Sequence, residues 1–179
     1  MSKQIFGINT RDLIRIGGGK EGAIYMTPDR KVLKVYLYPQ RCISEYKILR
    51  EMEGNKYFPN VFECKGRFML REYVEGIHFR DYIKENGLSK KLAMTLIDFA
   101  EEFDKIGYVD FDGLNKHVLI LNDNEIKVID PVKKRKTKLY VYLIRDLNKL
   151  GVLNDFIDIL RKKRPDLALK WIKNNKPKI

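Results

Sequence analysis

Three glycines with the spacing G-x-G-x-x-G, at Gly17, Gly19 and Gly22, are the first residues whose pattern could do chemistry. A glycine has no side chain, so its backbone can approach a phosphate group closely. The apolar segments before and after these glycines predict two strands joined by the glycine-rich turn. A dinucleotide-binding fingerprint would instead open a helix, and a Walker A loop would end in Gly-Lys-Ser/Thr, which the sequence lacks. The pattern therefore indicates a turn between strands that could cover phosphates.

A lysine on the next predicted strand could reach the same phosphates. Lys34 lies within Val32–Tyr36, and a helix is predicted over 43–52 directly afterwards. Glu45 in that helix is a candidate partner for Lys34, because a buried lysine without a counter-charge is costly. The helix is predicted from apolar residues that recur at helical spacing, namely Ile43, Tyr46, Leu49 and Met52.

A third set of residues consists of Asp112, His117 and Asp130. His117 follows Asp112 by five positions and precedes a short apolar strand, and Asp130 lies 13 positions further on, at the end of a second predicted strand. In protein kinases, the catalytic Asp, a metal-binding Asn and a metal-binding Asp have this spacing and these surroundings.

Taken in order over about residues 13–150, these motifs resemble a minimal, atypical protein-kinase-like phosphotransferase. The chain is similar to the RIO kinases, to the small kinase of the tRNA-threonylcarbamoyl complex, and to small bacterial Ser/Thr or lipopolysaccharide-core sugar kinases. The resemblance implies an α+β, two-lobed protein-kinase-like fold in a single domain, 1–179. A small antiparallel β N-lobe with the hinge would occupy about 1–74, and a reduced, mostly helical C-lobe with basic C-terminal helices would occupy 75–179.

The resemblance also implies a nucleotide site. On this reading Lys34 contacts the nucleotide phosphates, Glu45 holds Lys34, and the backbone of Glu72 and Val74 forms the hinge that binds adenine. The glycines of the phosphate loop are Gly17, Gly19 and Gly22.

The catalytic residues implied by the resemblance come from the third set. Asp112 would orient or deprotonate the acceptor hydroxyl, and His117 and Asp130 would bind the metal. Asp146 matches a structural Asp that braces the catalytic loop. The cofactors would be ATP and Mg²⁺, or Mn²⁺.

The motifs depart from the family in several places. His117 replaces an Asn, and magnesium prefers oxygen to nitrogen ligands. Asp130-Pro131-Val132 replaces D-F-G, and no A-P-E motif follows. A second register, with Asp110 as the catalytic acid and Asn115 as the ligand, has the same five-residue spacing. It ranks behind the first because it separates Asn115 from the apolar strand and lengthens the spacing to Asp130 to 15.

The expected activity is ATP-dependent transfer of the γ-phosphate to a hydroxyl acceptor, chiefly a protein Ser or Thr, including the protein's own. Two alternatives stay open: a kinase of sugars or small molecules, and a pseudokinase that binds nucleotide without transferring phosphate. In the pseudokinase alternative, the basic C-terminus would bind RNA or another polyanion.

The net charge of +12 is concentrated near the C-terminus, where residues 131–179 hold 15 basic and 4 acidic residues. Such a segment could bind RNA, an acidic protein or anionic lipid, or it could simply be a solvated face. The sequence has neither an apolar run long enough to span a bilayer nor a secretion signal, and it has only two cysteines, Cys42 and Cys64. These features predict a cytoplasmic protein without a transmembrane segment, whose thiols are reduced.

Overall fold

The computed structural model of the chain describes residues 4–107, 109–111, 113–123, 125–133 and 138–173. Within these residues the strands are β1 (Gln4–Ile5), β2 (Ile8–Asn9), β3 (Ile14–Gly19), β4 (Gly22–Met26), β5 (Lys31–Tyr36), β6 (Val61–Lys65), β7 (Phe68–Glu72), β8 (Ile77–His78), β9 (Val109–Asp110), β10 (Val118–Asn122), β11 (Glu125–Val128) and β12 (Val132–Lys133). The helices are α1 (Pro39–Glu51), α2 (Phe79–Asn86), α3 (Lys90–Ile106), α4 (Leu114–His117), α5 (Leu139–Lys149), α6 (Leu153–Lys163) and α7 (Pro165–Lys173), and a 3₁₀ turn covers Thr10–Asp12.

The chain divides into two compact units. The first unit consists of Met1–Glu75 with Asp130–Lys133, and the second consists of Gly76–Ile129 with Lys134–Ile179. The short segment that contains Asp130 therefore packs with the N-terminal unit, although more than fifty residues separate it from Glu75 in the sequence.

The first unit is built on a five-stranded antiparallel sheet with the order β3-β4-β5-β7-β6. Strand β5 is central, and on it Lys34 pairs with Ile24 of β4 and with Met69 of β7. Its two valines, its leucine and its tyrosine suit a strand that is covered by neighbours. The buried apolar residues of this unit include Leu33, Ile48, Leu49, Met69 and Leu70.

Helix α1 differs from the sequence prediction in its start and in its buried face. It begins at Pro39, in the first helical position, rather than near Ile43, because proline has the backbone angle a helix needs there and no N–H to leave unpaired. Its buried residues are Cys42, Glu45, Ile48 and Leu49, whereas Ile43 is 44% exposed. Of the apolar positions that predicted the helix, Leu49 is therefore buried but Ile43 is not. The helix also turns the Glu45 carboxylate toward the sheet, since Lys34 lies there.

The second unit is mostly helical and is organised around α3. Ser89 caps this helix by accepting a hydrogen bond from the Leu92 amide at 3.0 Å, and Gly107 ends it in a left-handed conformation with φ of 75°. An antiparallel sheet in the order β11-β10-β8 and helices α5 and α6 pack in the same unit.

Aromatic side chains fill much of the core of the second unit. Phe99 and Phe103 of α3 lie with ring centroids 4.7 Å apart, and Phe111 packs edge-on against Phe103 at 5.5 Å. Trp171 of α7 stacks on Tyr140 of α5 at 5.1 Å. Trp171 is thus a core residue of the second unit.

Candidate functional site

The strongest cluster of charges in the first unit is centred on Lys34. Its Nζ atom donates to Glu45 Oε2 and to Asp130 Oδ1, both at 2.8 Å. The side chains of Lys34 and Glu45 are 7% and 9% exposed, and that of Asp130 is 27% exposed. A lysine on the central strand is thus held by one carboxylate from α1 and one from the segment that follows β11.

Burial and charge act against each other on these groups. Burial by itself would lower the pKa of Lys34, but the charges of Glu45 and Asp130 outweigh it, so the pKa lies above its ordinary value. Burial raises the pKa of Glu45, and the like charge of Asp130 adds to this, although Lys34 opposes it. Lys34 therefore stays protonated well above neutral pH, with its ammonium group held at one place.

Asp130 has an unusual backbone. Its φ is 58°, in the left-handed region that few residues other than glycine adopt, and Pro131 follows. Asp is one of the residues that tolerates this conformation, and strained residues of this kind cluster at functional sites. The conformation belongs to the one carboxylate of the cluster that is partly open to solvent.

Arg71 is a member of the cluster that the sequence analysis missed. It is 4% exposed on β7, its Nη1 donates to the Glu72 carbonyl at 3.0 Å, and its Nη2 lies 4.0 Å from Asp130 Oδ1. An arginine within the apolar strand 68–72 was a signal that could have found it, because a buried charge needs a partner. With Arg71 included, the cluster holds two cations and two carboxylates.

The glycine-rich turn joins β3 to β4, as the sequence predicted. Gly22 has φ of 155°, and a Cβ atom on it would lie 2.0 Å from the Val35 carbonyl oxygen, so the fold itself requires glycine there. Gly18, which was not among the predicted site residues, is required for a similar reason, with φ of 153° and a Cβ position 2.9 Å from the Gly22 carbonyl oxygen.

The other two glycines of the motif have no such steric reason. A Cβ on Gly19 would meet nothing within 4 Å, and one on Gly17 would only touch Ile24 at 3.8 Å. Neither has a φ in the left-handed region. The space beside Gly19 is therefore open to the close approach of a ligand.

The predicted hinge residues lie at and just beyond the end of β7. Glu72 is the last residue of that strand, and its Oε2 accepts from the backbone and side-chain amides of Asn60 at 2.9 and 3.1 Å. Val74 is buried, with 6% of its surface exposed. The Glu72 side chain thus holds Asn60 against the end of β7, and a hinge role for this segment stays a prediction.

The remaining predicted site residues belong to the second unit. His117 ends the short helix α4, and its carbonyl accepts from the Ile129 amide at 2.8 Å, which joins α4 to the end of β11. Asp112, the predicted catalytic acid, lies outside the described residues. Asp146 is 2% exposed on α5, and its Oδ1 accepts from Arg145 Nε at 2.9 Å.

Asn115, the ligand of the second register, has a feature that the sequence could not show. Its Oδ1 is buried and has no hydrogen-bond partner within the described part of the chain. A buried polar oxygen without a partner costs about 1–3 kcal/mol, and a water molecule or a cation would satisfy it. Asp110, the acid of that register, is the last residue of β9.

Some charges of the basic C-terminal segment form ion pairs, and others are exposed to solvent. Arg164 donates to both carboxylate oxygens of Glu101 and also to Asp166, and these hydrogen bonds raise its pKa. The neighbouring residues Arg161, Lys162 and Lys163 at the end of α6 are exposed. The basic cluster at 134–136 lies outside the described residues. A polyanion partner for this segment stays a prediction.

The described residues contain neither a grouped set of metal ligands nor a membrane-spanning helix. Among them, no three His, Cys, Asp or Glu side chains are grouped so that they could hold a metal ion. No helix in the same part of the chain combines the length and apolar character that crossing a bilayer requires.

The chain is similar in sequence to a known protein and in structure to solved ones. No protein-family model matches the chain. A Bacillus subtilis (strain 168) protein named "Putative serine/threonine-protein kinase YrzF" is 21% identical over 135 residues, which cover 72% of this chain and 63% of that protein. Among solved structures, the ternary complex of streptomycin, ATP and APH(2")-IIa matches with a TM-score of 0.45 and 19% identity, over 60% of this chain and 38% of that one.

The chain thus spans less than two thirds of the length of either protein. The sequence similarity confirms the predicted resemblance to a kinase-like family. The antiparallel sheet of the first unit and the helices of the second confirm the predicted α+β class, with a small antiparallel β part and a mostly helical part.

Proposed function

We propose that this protein is an ATP-dependent phosphotransferase that moves the γ-phosphate of ATP to a hydroxyl group. The observation that carries the proposal is the position of Lys34, whose ammonium group is fixed between Glu45 and Asp130 on the central strand beside the glycine-rich turn. A fixed cation stabilises phosphate charge without having to be reoriented during the reaction.

We propose these roles for the nucleotide site. Gly17 and Gly19 let the backbone of the turn approach the phosphates, and Gly22 holds the turn against β5. Lys34 binds phosphate oxygens while Glu45 keeps it in place. The backbone at Glu72 and Val74 binds the adenine ring.

Magnesium fits part of the proposed donor set. Asp130 offers a partly exposed carboxylate, the kind of ligand that Mg²⁺ prefers, whereas the imidazole of His117 suits Mn²⁺ better. We propose Asp130 and His117 as the ligands, with Asn115 as the alternative to His117. The metal, when bound, would neutralise charge on the transferred phosphate. Asp112 would orient the acceptor hydroxyl, and Asp146 would support the segment that carries it.

We propose a Ser or Thr hydroxyl of a protein, including the chain itself, as the acceptor. The similarity to a protein named as a serine/threonine-protein kinase supports this choice over a sugar. Use of ATP would place the protein in the cytoplasm. The single kinase-like domain would comprise both units.

The test is incubation of the pure protein with Mg²⁺ or Mn²⁺ and γ-labelled ATP, beside Asp130→Ala. Label on the wild-type protein, recovered as phosphoserine or phosphothreonine and absent from the variant, is the expected result. Release of labelled inorganic phosphate at the same rate from both proteins, with no labelled protein, would contradict the proposal. An ATP-dependent rise in Tm without transfer to protein would instead direct the search to small-molecule hydroxyls.

A further inference from the structure

The two cysteines of the chain lie against each other in the first unit. The Sγ atoms of Cys42, on α1, and Cys64, on β6, are 3.1 Å apart, and both are free thiols. A disulfide bond is about 2.0 Å long, so the sulfurs need to approach by only about one ångström. They are 22 positions apart in the sequence, and the packing of α1 against β6 brings them together.

The two thiols differ in access to solvent. Cys42 is completely buried, whereas Cys64 is partly exposed. Burial raises the pKa of the Cys42 thiol, and the hydrogen bond with Cys64 and the nearby carboxylate of Glu45 raise it further. An oxidant from solvent therefore meets Cys64 first, and Cys42 is placed to react with the product.

We propose that Cys42 and Cys64 form an oxidation site, at which hydrogen peroxide converts the two thiols into one intrachain disulfide. The Cys64 sulfur attacks peroxide, so an S–O bond forms as the O–O bond breaks, and one water leaves with a sulfenic acid on Cys64. The Cys42 sulfur then attacks that sulfur, so the S–S bond forms as the S–O bond breaks. The Cys42 proton leaves with the hydroxyl as a second water. Two thiols are oxidised and one peroxide is reduced to two waters.

The disulfide bond would connect two elements of the first unit. Cys42 lies three residues before Glu45 on the buried face of α1, and the disulfide would tie that helix to the edge strand β6. The crosslink restricts the unfolded chain more than the folded one, so oxidation stabilises the first unit. In a reducing compartment the bond would be formed and removed as conditions change. This inference does not depend on phosphotransfer.

The test is oxidation of the reduced, full-length protein by hydrogen peroxide at low protein concentration, followed by alkylation in denaturant and mass spectrometry. We expect a monomer that has lost two hydrogen atoms and both alkylatable thiols. Trypsin should then release peptides 42–47 and 57–65 as one crosslinked species. Dithiothreitol should restore both thiols, and the oxidised protein should have the higher Tm.

The controls are the two single-cysteine variants and the wild-type protein in urea. Cys64→Ser should keep one alkylatable thiol and show no rise in Tm with peroxide, and so should Cys42→Ala if it folds. The wild-type protein should form the crosslink faster when folded than in urea, because the fold places the sulfurs together. Disulfide-linked dimers, oxygen adducts on one cysteine without a crosslink, or equal rates in urea would overturn it.

Discussion

Lys34 Nζ on β5 and Glu45 Oε2 on α1 are 2.8 Å apart, and both side chains are almost completely buried. This contact accounts for the orientation of α1, since the helix turns Cys42, Glu45 and Ile48 inward while Ile43 is exposed. An ion pair in such surroundings adds little net stability compared with apolar packing, but removing one partner is costly. A position that carries such a pair is therefore better explained by function than by stability.

Lys34→Met should lower the free energy of unfolding by about 3–5 kcal/mol, because Glu45 is left buried without its cation. Glu45→Met should cost a similar amount. The double variant Lys34→Met/Glu45→Met should recover much of the loss, since no unpaired charge then remains between these two positions. Urea denaturation of the four proteins measures these differences.

The same four proteins separate stability from activity. The double variant should be folded and yet bind ATP weakly, because the cation for the phosphates is absent. Wild-type ATP affinity in the double variant would remove Lys34 from the nucleotide site.

The residues around Lys34 show which features of the site could be predicted from the sequence and which could not. The residue pattern predicted strands at 13–16, 23–26 and 32–36. The motifs predicted Glu45 as the partner of Lys34 and an acid at the end of the strand that precedes Asp130. The local sequence pattern could not predict which face of α1 is buried. Helical spacing alone selects a face of apolar residues, whereas the buried face of α1 includes the charged residue Glu45.

Contacts between distant segments were the least predictable part of the site. Asp130 contacts Lys34 although the two are 96 positions apart in the sequence. Arg71, which lies between them in the sequence, joins the cluster from β7. The sequence alone could not distinguish the roles of the glycines either. Only the distance from a Cβ atom on Gly22 to the Val35 carbonyl oxygen shows that the fold requires glycine at 22, whereas it does not require one at 19.

The turn between β10 and β11 should make stability depend on acid pH. Asp123 accepts from Tyr82 Oη at 2.6 Å and Ser89 Oγ at 2.8 Å, and these bonds hold its pKa below the ordinary value of 3.8. Stability from this group is therefore present above pH 3.8 and is lost as the pH falls through the folded pKa.

Asp123→Asn should accordingly lower the free energy of unfolding by about 1 kcal/mol near neutral pH, a modest value because the group is partly exposed. The difference between the two proteins should shrink as the pH drops below 3.8. Urea titrations over this range measure it. A difference that does not change with pH would mean that the amide alters packing rather than charge.

The four glycines of the turn offer a matched comparison. Gly22→Ala should lower stability by about 2 kcal/mol or more, because its Cβ meets the Val35 carbonyl and its φ is unfavourable for alanine. Gly19→Ala should leave Tm unchanged or slightly raised, since its Cβ enters open space.

If phosphates occupy that space, Gly19→Ala should weaken ATP binding by about tenfold, or about 1.4 kcal/mol. The ATP-induced rise in Tm measures this for each variant. Full ATP affinity in Gly19→Ala would mean that the turn does not contact the phosphates.

The choice between the two registers of the catalytic segment can be made with apolar substitutions. Asn115→Leu removes a buried oxygen without a hydrogen-bond partner among the described residues, so it should leave stability unchanged or improved. If His117 is the metal ligand, Asn115→Leu should also keep its phosphotransfer rate, while His117→Leu and Asp112→Ala should each lose about a hundredfold or more.

The opposite pattern would assign the chemistry to the second register. Loss of activity in Asn115→Leu and Asp110→Ala, with His117→Leu and Asp112→Ala near the wild-type rate, would make the buried Asn115 oxygen the metal ligand. The metal itself gives a second measurement. A His117 ligand should favour Mn²⁺ over Mg²⁺, because its nitrogen donor suits Mn²⁺ better, whereas an Asn115 oxygen should remove that preference. Initial rates with each ion, for the wild type and both leucine variants, distinguish the two arrangements.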